Sequence, residues 1–238
     1  MSIIQEVPKA MKHKGNQGFT LIELLVAMVI ASIVMAAVVS AYQLQVRGKN
    51  TQEVLTDMNQ TARAALEIMI HEIQTAGCDP LRTADAGVLI ADAGEFSFVM
   101  DIGDGASFQP DGAADDPNER VRYALYTDGT GSQNLGRATG TAADGSGGTL
   151  QPLARNVDAL DFVYLDEDGN ITAAVDEIRS IQLTVVARSG RESGGLLHSF
   201  TDATAYQNQQ GDEILAAQND SFRRLLLTTT INCYNLNN

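Results

Sequence analysis

Between Leu24 and Tyr42 the chain runs for 19 residues whose only polar groups are the hydroxyls of Ser32, Ser40 and Tyr42. As a helix rising about 1.5 Å per residue, this stretch is about 28 Å long, close to the hydrocarbon thickness of a bilayer. Neither glycine nor proline interrupts it. A segment apolar on every side needs lipid or other helices around it, not water. A carboxylate, Glu23, stands immediately before it. A charge at membrane depth costs at least a few kcal/mol, so an acid here reads as functional, with a partner to be found.

Lysines 9, 12 and 14 against Glu6 give residues 1–18 a net charge of +2, which leaves −16 for the remainder of a chain totalling −14. Arg47 and Lys49 follow the apolar run. The more basic leader marks the cytoplasmic end. Two ordinary readings compete at this point: a secretory signal peptide cut near Val39-Ser40-Ala41, or an anchor that is never cut. Neither has a use for Glu23, and the leader ends in Asn16-Gln17-Gly18 without a small-x-small site.

The stretch Gly18-Phe19-Thr20-Leu21-Ile22-Glu23 resembles the processing site of type IV pilins and type II secretion pseudopilins. The resemblance implies that a prepilin peptidase cuts after Gly18 and that Phe19 becomes a methylated N-terminus. Glu23 becomes the fifth mature residue and pairs with a neighbouring subunit during assembly. It also implies an α+β chain with the type IV pilin fold, a long N-terminal α-helix packed on an antiparallel β-sheet with long loops. The implied partners are other pilin subunits through the N-terminal helix, the peptidase, the inner membrane and a tip adhesin; no cofactor is implied. The C-terminal domain would face the periplasm before assembly and sit on a filament afterwards. Many members carry a helix-breaking proline at the twenty-second mature position, where this chain has Ser40.

After Val46 the helical period persists. Leu55, Met58, Ala62, Ala65, Leu66, Met69, Ile73 and Ala76 recur mostly at spacings of three and four, an amphipathic stripe opposite Glu53, Asp57, Gln60, Arg63, Glu67 and Gln74. Glu67 and His71 form at best a weak exposed pair. Gly48 is one weak point, and Gly77 ahead of Pro80 is a stop. The chain therefore divides into a cleaved leader 1–18, a membrane or filament-core helix 19–46, an amphipathic half 47–76 and a globular β domain 77–238. The segments Gln60–Leu66 and Ile73–Cys78, with Ile178-Arg179-Ser180-Ile181, resemble the PilW-type minor pilins and, second, the GspJ-type pseudopilins.

Beyond Leu81 the pattern predicts strands at Glu95–Ile102, Arg120–Thr127, Val157–Leu165, Ile178–Arg188 and Arg223–Tyr234. In the fourth, Ile178, Ser180, Gln182, Thr184 and Val186 alternate with Arg179, Ile181, Leu183, Val185 and Ala187, which predicts a sheet with one covered face. Asp166-Glu167-Asp168-Gly169-Asn170 reads as a hairpin turn, with calcium as a weaker alternative because its spacing does not fit a calcium loop. Gly103–Glu119 and Asp128–Thr149 read as long loops, and Ser189–Asn219 as irregular with room for a short helix at Asp212–Gln218.

The acidic balance argues against a nucleic-acid partner, which needs clustered lysine and arginine. Arg223-Arg224, the one adjacent basic pair, reads as a solvated strand edge. His13, His71 and His198 lack metal-ligand spacing, and no nucleophile elbow or phosphate-cradling loop occurs, so the chain reads as no enzyme and holds no metal. Cys78 and Cys233 are the two cysteines; on export they either pair or stay as buried thiols. A disulfide closing about 155 residues stabilises by roughly 5 kcal/mol in the chain-entropy account.

Overall fold

The computed structural model describes residues 18–103, 109–190, 194–195 and 198–236; the leader up to residue 17 and the centre of the expected loop at 103–119 lie outside them. The chain divides into two compact units, residues 1–49 and 50–238. One helix, α1 (Leu21–Gln74), begins in the first and ends in the second. In the first unit every described residue is exposed, including Leu24, Ile30, Ile33 and Val39. Ser32 and Ser40 donate to the carbonyls of Met28 and Ala36 at 2.7 and 2.8 Å. The serine in place of proline thus sits in unbroken helix with its hydroxyl satisfied by the preceding turn.

In the second unit, the expected stripe is the buried face. Met58, Ala62, Ala65, Met69 and Ile73 are buried, and the opposite face carries the exposed Glu67–His71 pair, 3.8 Å apart. The helix ends where Gly77 adopts φ +77°, a conformation that favours glycine. A Cβ there would lie 2.6 Å from Leu236 Cδ2, and Asn235 Nδ2 donates to Gln74 O at 3.0 Å. The C-terminal residues thereby close over the helix end.

The strands are β1 (Val88–Asp92), β2 (Glu95–Val99), β3 (Arg120–Thr127), β4 (Gln133–Thr139), β5 (Gln151–Arg155), β6 (Val157–Leu165), β7 (Ser180–Arg188), β8 (Gly194–Gly195), β9 (His198–Ser199), β10 (Tyr206–Gln207), β11 (Glu213–Leu215) and β12 (Arg224–Asn232). An antiparallel meander, β1-β2-β3-β4-β5, forms one sheet, and β12-β7-β6 forms a second. One core joins them: Met69 and Ile73 pack with Phe96, Phe98, Tyr123 and Leu135 of the meander and with Phe162, Ile181, Leu183 and Ile231 of the second sheet. Glu72 ties the helix to the meander, accepting from Tyr123 Oη and from Arg137 Nε at 2.8 Å.

Three expectations need correction. Asp128–Thr149 is not one loop, because β4 crosses it; its small residues pack centrally, where Tyr126 and Leu150 crowd Gly136. Asp212–Gln218 holds the strand β11 instead of a helix. The second sheet is covered on both faces over part of its length. Thr184 and Val186, on the face away from the main core, are 1% and 0% exposed. The β10–β11 hairpin lies across that face, with Asn208 Nδ2 donating to Asp161 Oδ2 at 3.0 Å and Gln210 Nε2 to Gln182 Oε1 at 2.8 Å.

Arg224, expected at a solvated strand edge, is also buried instead. Its side chain is 2% exposed and bonds Asp158 Oδ2 (2.7 Å), Asp202 Oδ2 (3.1 Å) and both oxygens of Asp220 (2.7 Å each). Arg188 pairs with the other oxygen of Asp158 at 3.1 Å. Arg224 therefore clasps the 202–220 segment to the sheet. Burial pushes the Asp202 carboxyl up, but Arg224, the Thr204 amide and the Tyr206 hydroxyl outweigh it and hold it below the usual range. Arg224 does the same at Asp220.

Replacing Ile73 by Ala should cost about 2–5 kcal/mol of stability, against less than about 0.5 for exposed Glu67→Ala, read by urea unfolding of the full chain in detergent. Arg224→Met should be destabilised at pH 7 by about 3–5 kcal/mol, because it strands buried carboxylates. The lowered carboxyls contribute stability above the unfolded aspartate pKa of about 4, lost as the pH falls through it toward their folded values. The gap between wild type and Arg224→Met should accordingly narrow on acidification, as unfolding midpoints against pH would show.

Candidate functional site

The head of α1 is built by Thr20 and Glu23. Thr20 precedes the helix, and its carbonyl accepts the first helical bond, from Leu24 N–H at 3.1 Å. Glu23 Oε2 accepts from Thr20 N–H at 2.9 Å and from Thr20 Oγ1–H at 2.8 Å, while Glu23 N–H donates back to Thr20 Oγ1 at 3.3 Å. This reciprocal arrangement is a capping box, satisfying donors that every helix start leaves open. The acid also stands where the helix dipole favours negative charge.

The sequence reading asked for a partner for Glu23 and passed over the one three residues away. The signal was available: Thr-x-x-Glu ahead of an apolar run is the sequence form of this cap. Both hydrogen bonds to the carboxylate fall on Oε2. Among the described residues no hydrogen bond reaches Oε1, so the cap aims the acid and leaves one oxygen to accept another donor.

Gly18 and Phe19 precede the cap outside any regular element, and Phe19 is 89% exposed. A Cβ added at Gly18 would meet nothing within 4 Å, and its φ is not left-handed. Among the described residues nothing crowds that position, in contrast to Gly77.

Cys78 and Cys233 are both thiols in this structure, and both pack on the main core. They lie in neighbouring stretches, since residues 235–236 touch Gln74 and Gly77. Burial pushes the Cys233 thiol up to about 12. Burial, then Asp101 and Asp79, raises Cys78. Since the thiolate is the reactive form, both are poor nucleophiles once the domain is folded.

The turn at 166–170 forms as expected, with Asp166 N–H donating to Asn170 O at 2.9 Å. Asp166 Oδ1 is engaged by Asn170 N–H at 2.8 Å. Among the described residues no cluster of three or more His, Cys, Asp or Glu side chains is arranged to hold a metal. A cleft of about 430 Å³ in the second unit is lined by Asp57, Met58, Thr61, Leu153, Arg155 and Arg188.

Residues 13–39 match the family model of the prokaryotic N-terminal methylation motif. No curated protein matches the chain. Among solved structures it is similar to a type IV-like pilin from Thermus thermophilus, at 15% identity and a TM-score of 0.47, over 75% of this chain and 97% of that one. The chain is thus an α+β protein with a prokaryotic N-terminal methylation motif at the head of a long N-terminal helix and antiparallel sheets behind it.

Thr20→Ala should remove the cap at a cost of about 1 kcal/mol to the first turn, whereas Thr20→Ser should retain it. Amide hydrogen exchange at residues 21–23 in micelles should accelerate roughly fivefold in the alanine variant and stay near wild type in the serine variant.

Proposed function

We propose that this chain is a minor, PilW-like subunit of a type IV pilus that helps to initiate or support assembly. The observation that carries the reading is the joint presence of the methylation motif and a capped carboxylate at the head of a membrane-length helix. A prepilin peptidase cuts after Gly18 and methylates the new amine of Phe19. The apolar run then anchors the protein in the inner membrane, with residues 77–238 on the periplasmic side.

Glu23, held by Thr20 on one oxygen, offers the other to the N-terminal amine of a neighbouring subunit. Pairing two charges at membrane depth is favoured over leaving either alone, and it sets the axial register as subunits join. The exposed side chains of residues 21–46 then exchange lipid for the helices of a filament core. With Ser40 back-bonded to Ala36, this helix stays wound at the position where related chains carry proline.

Two further readings share this machinery: a GspJ-like pseudopilin of a type II secretion system, and an adhesive subunit that uses its loops. Cys78 and Cys233 pair on export in this proposal. Burial raises both thiols in the folded domain, which favours oxidation before the core closes.

Mass analysis of the protein from its native membrane is expected to show a methylated Phe19 start and a polypeptide two hydrogens lighter than the dithiol. A start at Tyr42 would refute the processing, and an intact dithiol would refute the pairing alone. Glu23→Ala is expected to be cut and methylated normally yet fail to enter filaments; normal entry would remove Glu23 from the assembly step.

A further inference from the structure

Three stretches of the chain read Asn-x-Ser/Thr without an intervening proline: Asn59-Gln60-Thr61, Asn170-Ile171-Thr172 and Asn219-Asp220-Ser221. This pattern is the acceptor form for an asparagine-linked glycan, and chance alone supplies it often. The fold separates the three. A transferase must take hold of the asparagine amide and of the hydroxyl two residues on together, so both must face the same way and stand clear of strong bonds. In a helix, residues two apart point about 200° from one another. Asn59 and Thr61 lie in α1, and Asn59 Oδ1 accepts from Arg63 Nε at 2.9 Å. Asn219 is pinned. Its N–H donates to Asp202 O at 2.8 Å and its Nδ2 to Ala217 O at 3.1 Å, and the next residue is Asp220, held on both oxygens by Arg224.

Asn170 differs on each count. It closes the turn that follows β6, where Glu167, Asp168, Gly169, Asn170 and Ile171 are all exposed. Ile171 bridges Leu165 as in an antiparallel ladder, and Thr172 N–H donates to Tyr164 O at 3.0 Å. The backbone is extended there, and residues two apart in extended chain share a face. Asn170 and Thr172 therefore point the same way. The short bond of the turn is made by Asn170 N–H, to Asp166 Oδ1 at 2.8 Å. Its side-chain Nδ2 lies 3.5 and 3.3 Å from the two Asp166 oxygens, longer than an ordinary hydrogen bond. The Thr172 hydroxyl donates to Glu177 Oε2 at 2.9 Å, a surface bond that another acceptor can replace.

We propose that Asn170 accepts an asparagine-linked glycan from a lipid-diphosphate-linked oligosaccharide, through a membrane-bound transferase on the side of the membrane that holds the β domain. Asn170 Nδ2 forms a bond to the anomeric carbon of the first sugar. The anomeric C–O bond to the diphosphate breaks, and the lipid diphosphate leaves with its electron pair. One amide proton passes to a base of the transferase. The glycan joins the chain beside Ile171 and Val175, apolar side chains 64% and 42% exposed, and brings hydrated groups to that surface. The inference rests on the proposed function in one respect, the export of residues 77–238.

Intact mass and peptide mapping of the full chain from its native membrane test the assignment. One glycan mass on Asn170 is expected, lost entirely in Asn170→Gln and in Thr172→Ala and kept in Thr172→Ser. Asn170→Gln and Thr172→Ser should unfold at the wild-type midpoint, because each keeps the backbone bonds of the turn. A bare Asn170 overturns the assignment, as does a glycan that survives Asn170→Gln or is indifferent to Thr172→Ala. A glycan on Asn59 or Asn219 in place of Asn170 overturns it too. The same spectrum reads the start of the chain and keeps the two proposals apart. A methylated Phe19 start with a bare Asn170 sinks this inference alone. A glycan on Asn170 of a chain without the methylated start upholds it and refutes the processing.

Discussion

One stripe of a helix serves as the common core of two sheets. Met69 and Ile73 are wholly buried among aromatic residues of the meander and aliphatic residues of the second sheet. Neither sheet closes its core without that stripe, because side chains from both converge on the same helical turns. Glu72, one residue before Ile73, fixes the rotation of the helix through Tyr123 and Arg137. A helix turned by one residue would bury this acid and expose an apolar side chain, so stripe and clamp specify a single register. Burial of Met69 or Ile73 is worth roughly 1.5–3 kcal/mol each, a large share of the stability of a domain this size.

The two ends of α1 solve opposite problems. Upstream, the apolar run has no partner within the described chain, and its polar content is reduced to serines bonded to their own helix and an acid bonded to its own cap. Downstream, the same helix is amphipathic and its apolar face is fully used. The Thr20–Glu23 cap satisfies donors at the helix start from within the chain, and it holds the carboxylate in one place. An acid ordered in advance loses less conformational freedom when it meets a cation.

Much of this was legible in the sequence, for identifiable reasons. The buried stripe followed from its spacing, and the strands Arg120–Thr127 and Val157–Leu165 fell at their observed limits because turn residues bound runs of large or β-branched side chains. Strand β4 escaped because it lies in a stretch rich in small residues: Gly136 makes room for Tyr126 and Leu150, and such a composition reads as loop. Arg224 escaped because its partners Asp158, Asp202 and Asp220 lie 66, 22 and 4 residues away, a convergence that only the fold creates. Thr20 was missed differently. Its cap is local and readable, but the cost of charge in lipid directed attention outward to another molecule.

The closure of the C-terminal residues over the helix end also sets the timing of folding. Ile231 and Cys233 fill the same core as Met69 and Ile73, and Leu236 seals Gly77. The stripe on α1 emerges from the ribosome long before the strand that completes its burial. Contacts this distant in sequence make for slow closure. A newly made chain therefore waits with this apolar face open, and in that interval it is most exposed to proteases and to chaperones.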